Sequence, residues 1–154
     1  MQTQSDTILW GLVLAVHLLG MALWVGGSAY TLAVLRPSLG LLDQTQRVSV
    51  SLQTLKRFFG LIWYVMPLVL LSGWSMEIFR EGGFAHADWH INTMQTLAIV
   101  MAITFLWAFY GPFQRARRAI RPQPKTFETI RSLVGANLAI GTVIVIVASL
   151  GHNF

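Results

Sequence analysis

The chain has 154 residues, 55% of them hydrophobic and only 11% charged, with a mean hydropathy of +0.59, which is too apolar for a water-soluble domain of this size. It contains no cysteine, so disulfides, thiolate metal sites, iron–sulfur clusters and cysteine nucleophiles are excluded, and redox chemistry requires a bound cofactor. The net charge of +5 and pI near 10.5 could point to nucleic acid, but the basic residues are placed otherwise.

Four uncharged stretches, 7–35, 58–76, 91–114 and 132–151, each match or exceed the roughly 20 apolar residues that cross a bilayer core. They predict an all-α, integral membrane four-helix bundle, a single domain over 1–154 with helices at about 7–36, 57–79, 89–115 and 131–152. The first stretch follows Asp6 instead of a basic segment and is longer than a signal-peptide core, so it reads as a retained helix. Pro37 is expected to end it, and residues 48–59 read as a short amphipathic segment at the membrane interface. Pro67 predicts a kink in helix two. A short aromatic loop, 80–90, leads to helix three, and Pro122 and Pro124 punctuate the loop before helix four.

Arg36, Arg47, Lys56 and Arg57 lie between helices one and two, and Arg115, Arg117, Arg118, Arg121, Lys125 and Arg131 between three and four; Arg80 alone stands elsewhere. The positive-inside rule then makes both termini periplasmic in a multi-pass protein of the bacterial inner (cytoplasmic) membrane. Topology and attraction to anionic lipid account for the basic excess, leaving the bilayer as partner and no nucleic acid.

The histidines are the informative residues. At roughly 1.5 Å per residue, His17 lies about 28 Å from Arg36, His90 about 38 Å from Arg115 and His152 about 32 Å from Arg131, so all three belong near the outer leaflet. His86 joins that face through its loop and reads as an interfacial residue in contact with water. An imidazole sunk in hydrocarbon is costly without a partner, which makes His17 a functional candidate. Gly20, Trp24 and Gly27 follow it at i+3, i+7 and i+10, so one helix face combines a ligand, an aromatic wall and two gaps. A flat macrocycle packed edge-on between helices needs that combination. His90, Met94, Met101 and Ala108 form a stripe on helix three, and Asn137, Gly141, Ala148 and His152 another on helix four. Trp10 and Trp89 read as belt residues, Glu77 as an interface charge, and Gly26-Gly27 with the short chain favours a homodimer. A second donor set is also present: Met21 and Met94 each follow a histidine by one turn, and nitrogen with thioether suits Cu(I).

The stretch from His17 through Gly20, Trp24 and Gly27 to Val34-Leu35-Arg36-Pro37 resembles the first helix of the copper-resistance protein D (CopD-like) family of small bacterial inner-membrane proteins. Further matching residues are Arg57-Phe58-Phe59-Gly60, Leu71-Ser72-Gly73-Trp74, Trp89-His90, Arg131, and Asn137 to Gly141, so the likeness touches all four helices. The sequence is also similar to HemJ-type protoporphyrinogen oxidases, b-haem membrane proteins, although the lysine of their third helix has no counterpart: the only lysines are Lys56 and Lys125, both in the basic loops. This resemblance implies that His17 is a haem ligand, with His90 as its partner on helix three. The leading expectation is therefore a haem b protein, a haem-dependent membrane oxidoreductase, with His17 and His90 as axial ligands. His152 would be an alternative ligand or a partner to a propionate, and electrons would pass to or from quinone or a periplasmic redox partner. The alternative is copper binding or transfer through His17, Met21, His90 and Met94; a purely structural subunit is the third reading.

Overall fold

Lipid-like faces on every side of four long helices determine how this chain assembles. The computed structural model describes residues 4–80, 82–83 and 87–151, and among them all regular structure is helical. Four helical spans are long and apolar enough to cross a membrane: α1, Gln4–Leu41; α2, Gln44–Arg80; α3, Trp89–Arg118; and α4, Pro124–Gly151. Leucine, isoleucine and valine side chains such as Leu12, Leu19, Leu71, Ile103 and Val145 point outward and are exposed, as expected where the surrounding solvent is hydrocarbon. The protein is a multi-pass membrane protein.

The spans run past the expected boundaries. Helix one does not end at Pro37: a π-helical turn, Thr31–Leu35, precedes it, and the chain stays helical through Arg36–Ser38 and a 3₁₀ turn, Leu39–Leu41. The missing N–H of Pro37 falls at the junction where the hydrogen-bond ladder changes pitch, so the proline breaks nothing. Pro112 sits in a second π-helical turn, Phe109–Phe113, at the same end of the bundle. Residues 48–59 form no separate interfacial helix but belong to α2, which begins at Gln44 and stays helical across Pro67. At about 1.5 Å per residue its 37 residues reach roughly 55 Å, well beyond a hydrocarbon core of about 30 Å. Its first turns therefore project past the bilayer beside the basic loops.

Helix α1 packs on α2 and on α4, and α3 packs on α4. Small residues set the close approaches. A Cβ built on Gly20 would lie 2.5 Å from Val69 Cγ2 of α2, and one on Gly141 would lie 2.5 Å from Val25 Cγ2 of α1. Asn137 of α4 is buried and donates from Nδ2 to the Met101 carbonyl of α3 at 3.2 Å, tying the two helices inside the bundle. We expect Gly20→Ala to destabilise the protein by about 1–3 kcal/mol through overpacking against Val69. Gly11→Ala, where no atom lies within 4 Å, should stabilise by up to about 1 kcal/mol through helix propensity. Unfolding of the two variants by SDS titration checks the opposite signs.

Helices α2 and α3 stay apart, and what fills the space between them differs along the bundle. Towards the basic end, Phe59 and Trp63 of α2 interleave with Phe105, Phe109 and Phe113 of α3 at centroid separations of 4.8 Å (Phe59–Phe113) to 5.9 Å (Phe59–Phe109). Trp24 of α1 meets the edge of Phe105 at 6.2 Å and completes this aromatic core. Towards the other end no such wedge follows, and the gap remains open.

Candidate functional site

That gap is a partly open cavity of about 230 Å³ lined by α1, α2 and α3, with Ile144 of α4 also in its wall. Residues spaced by turns on α2, Val69, Gly73, Met76 and Arg80, form one wall, with Glu77 and Trp74 beside them; Met94, Gln95 and Ala98 of α3 face that wall. His17 and Met21 of α1 form the third side. Gly73 and Ala98 bring no bulk to fill the interior.

The His17 ring lies against Gly73, where an added Cβ would be 3.1 Å from Cε1 and 3.5 Å from Nδ1. Its Nδ1 is 2.9 Å from the Val69 carbonyl and 3.1 Å from Ser72 Oγ. A carbonyl only accepts, so Nδ1 carries the proton and donates; the Ser72 hydroxyl, itself donating to the Leu68 carbonyl, offers a lone pair to the same N–H. The tautomer is thereby fixed with the lone pair on Nε2, and no described residue hydrogen-bonds that nitrogen. This is how a protein orients an imidazole to act as a ligand. The buried Gln95 Nε2 has no hydrogen-bond partner among the described residues, and Glu77, at 4% exposure, is buried with its carboxylate in the cavity lining. Glu77 is thus an interior residue, contrary to its reading as an interface charge.

The other expected site residues go to different places. Gly20 and Gly27 leave no slot beside His17, because Val69 of α2 occupies the space at Gly20 and Phe58, whose Cε2 would be 3.0 Å from an added Cβ, the space at Gly27. Trp24, 1% exposed, belongs to the aromatic core. His90 does not line the cavity. Its ring packs against Gly151 of α4, where any Cβ would overlap it. His152 and His86 lie outside the described residues. Met94, one turn beyond His90, does enter the cavity opposite Met76 and Met21. The sequence reading missed Met76 and Gln95; Met76 stands three residues after Gly73 on the stripe that carries Val69, and that spacing was the available signal.

Two chemistries can be weighed against this geometry. A haem held between His17 and His90 does not fit: the second imidazole is turned to α4, and a cavity of about 230 Å³ is smaller than the roughly 300–1,000 Å³ typical of pockets for small organic ligands. A single ion is small enough for the volume. No group of three or more histidine, cysteine, aspartate or glutamate side chains is poised to hold a metal among the described residues, so a hard or borderline divalent ion finds no ready cage. The soft or nitrogen donors among the lining residues are one imidazole and three thioethers, His17, Met21, Met76 and Met94.

No curated protein and no solved structure is significantly similar to the chain. The family model of copper resistance protein D, CopD, matches residues 52–150, from the third turn of α2 to the end of α4, and includes Gly73, Met76 and Met94 of the cavity wall and Ser72, which contacts His17. The chain belongs to the copper resistance protein D (CopD) family.

Proposed function

We propose that this protein binds Cu(I) inside the membrane and passes it on in copper resistance, with the ion as cargo. The observation that carries this reading is that Met21, Met76 and Met94, from three different helices, line the cavity that His17 also lines. Thioether is a soft donor and imidazole a borderline one; both are neutral, and a set dominated by thioethers favours Cu(I) over divalent ions preferring oxygen ligands. A neutral donor set leaves the complex with a single positive charge, and the lining holds one carboxylate, Glu77, beside one guanidinium, Arg80. Val69 and Ser72 hold the imidazole with Nε2 available as a ligand. The description of the family agrees with copper as the metal. By the positive-inside rule the basic loops face the cytoplasm of a bacterial inner membrane, and the cavity end faces the periplasm, the side from which copper would enter.

Protein purified in detergent under anaerobic, reducing conditions and titrated with Cu(I) against a chromogenic chelator should bind one ion per chain and remain colourless. A Soret band with sharp reduced α and β bands in the isolated protein, or failure to take Cu(I) from the chelator, would overturn the copper reading.

A further inference from the structure

At the opposite end of the bundle, Arg36 of α1 and Arg131 of α4 line one small pocket of about 50 Å³, with Ser51 of α2 on its third side. The packing of α1 against α4 brings the two arginines to one pocket, close enough for the Arg36 charge to act on Arg131. Neither forms a hydrogen bond or an ion pair with any described residue. Glu128, one turn before Arg131, is within Coulombic reach of it but is not bonded to it. The Ser51 hydroxyl likewise has no hydrogen-bond partner among the described residues. The contrast with Arg47 is instructive. On the same face of the membrane, its guanidinium bonds the Leu39 and Leu42 carbonyls at 3.1 and 3.2 Å and caps the end of α1. Arg36 and Arg131 do no such structural work, and two like charges facing one pocket repel unless an anion lies between them.

We infer that Arg36, Arg131 and Ser51 form a binding site for a phosphate group, separate from the copper cavity. Two planar guanidiniums match the oxygens of a tetrahedral phosphate, and a hydroxyl from a third helix can donate to another oxygen. The volume of about 50 Å³ admits one such group. Below the arginines the lining turns apolar, with Leu32, Leu35, Leu55, Phe127 and Ile130, so an acyl chain can continue where the phosphate ends. A phosphate carried by an anionic phospholipid therefore satisfies the whole pocket, and free phosphate satisfies its polar rim. Such a ligand would pin α1, α2 and α4 together at the membrane surface, beyond the general attraction that scattered basic residues exert on anionic lipid.

The test compares the full-length protein with the double variant Arg36→Gln/Arg131→Gln and with Arg117→Gln/Arg118→Gln, which removes the same charge from the same face outside the pocket. Retention of phosphatidylglycerol against phosphatidylcholine is read by native mass spectrometry from mixed-lipid nanodiscs, and binding of inorganic phosphate by calorimetry in a non-ionic detergent. Phosphatidylglycerol retained by the parent and the Arg117/Arg118 control, and bound at least about tenfold more weakly by the pocket variant, supports a lipid-borne phosphate. The same pattern with inorganic phosphate alone supports a free one. Equal losses in the two double variants, or no preferential binding by the parent, overturn the site. Arg36→Lys/Arg131→Lys keeps the charge, guards against a folding defect in the glutamine variant, and should recover part of the binding.

Discussion

Replacing His17 with alanine is expected to weaken Cu(I) binding by at least about 100-fold, a larger effect than any other single substitution in the cavity. The reason is chemical. His17 supplies the only nitrogen among the four donors that line the cavity, whereas each methionine leaves two equivalent sulfurs behind. Loss of a partner that merely orients a metal ligand costs roughly 10–100-fold in affinity. Ser72→Ala removes one such partner while the Val69 carbonyl still holds Nδ1, so its effect should lie near the lower end of that range. His17→Gln serves as the folding control: its amide can still donate to the Val69 carbonyl but offers no imidazole nitrogen, so the helix contact survives and the copper affinity does not. Chelator competition on the three variants, with circular dichroism to establish that each is folded, gives the order. Unchanged affinity in folded His17→Ala would remove this residue from the site.

Phe59→Ala is expected to be the most destabilising substitution in the aromatic half of the bundle, costing about 2–4 kcal/mol. Phe59 is 1% exposed and touches Phe58, Phe105, Phe109 and Phe113, so truncation opens a void in the layer that separates α2 from α3. The usual hydrophobic transfer contribution largely drops out, because lipid tails are as apolar as the protein interior; what is lost is dispersion contact and ring geometry. That places the effect somewhat below the roughly 3–5 kcal/mol typical of Phe→Ala in water-soluble cores. Phe79→Ala provides the comparison. It removes the same atoms from a ring that is 75% exposed on the outer face of α2, where lipid takes the place of the ring, and should cost less than about 1 kcal/mol. SDS-unfolding midpoints for the two variants measure the difference, and equal losses would mean that the aromatic layer carries no special packing.

Legibility of the site varied from residue to residue. His17 could be singled out because an imidazole in an uncharged run is conspicuous against hydrocarbon, and Met21 and Met94 could be placed near it by counting turns. The haem expectation arose from adding Gly20, Trp24 and Gly27 to the same face and taking His90 as a facing ligand. Each of those four residues does face the protein interior, but towards Val69, Phe105, Phe58 and Gly151 in turn, and none borders the cavity. A glycine on a helix reads identically whether a cofactor or a neighbouring valine occupies the space above it. Glu77 reads as an interface charge because it stands near the outer end of helix two, yet it is buried in the folded bundle, which no local pattern reports.

Local chemistry along the chain was enough to establish four apolar crossings, the concentration of arginine and lysine at one end, the absence of thiol chemistry and the presence of a nitrogen donor deep in the first helix, since each follows from residue type and length alone. Only the packed bundle decided which methionines share a cavity with that nitrogen, that His90 turns to α4, and that Arg36 and Arg131, from two helices, line one pocket. The physical reason is that a membrane helix is apolar on its lipid-facing and protein-facing sides alike. No amphipathic period marks the inward face, and the orientation of each helix is set by contacts between residues far apart in the chain, such as Gly20 with Val69 and Gly141 with Val25.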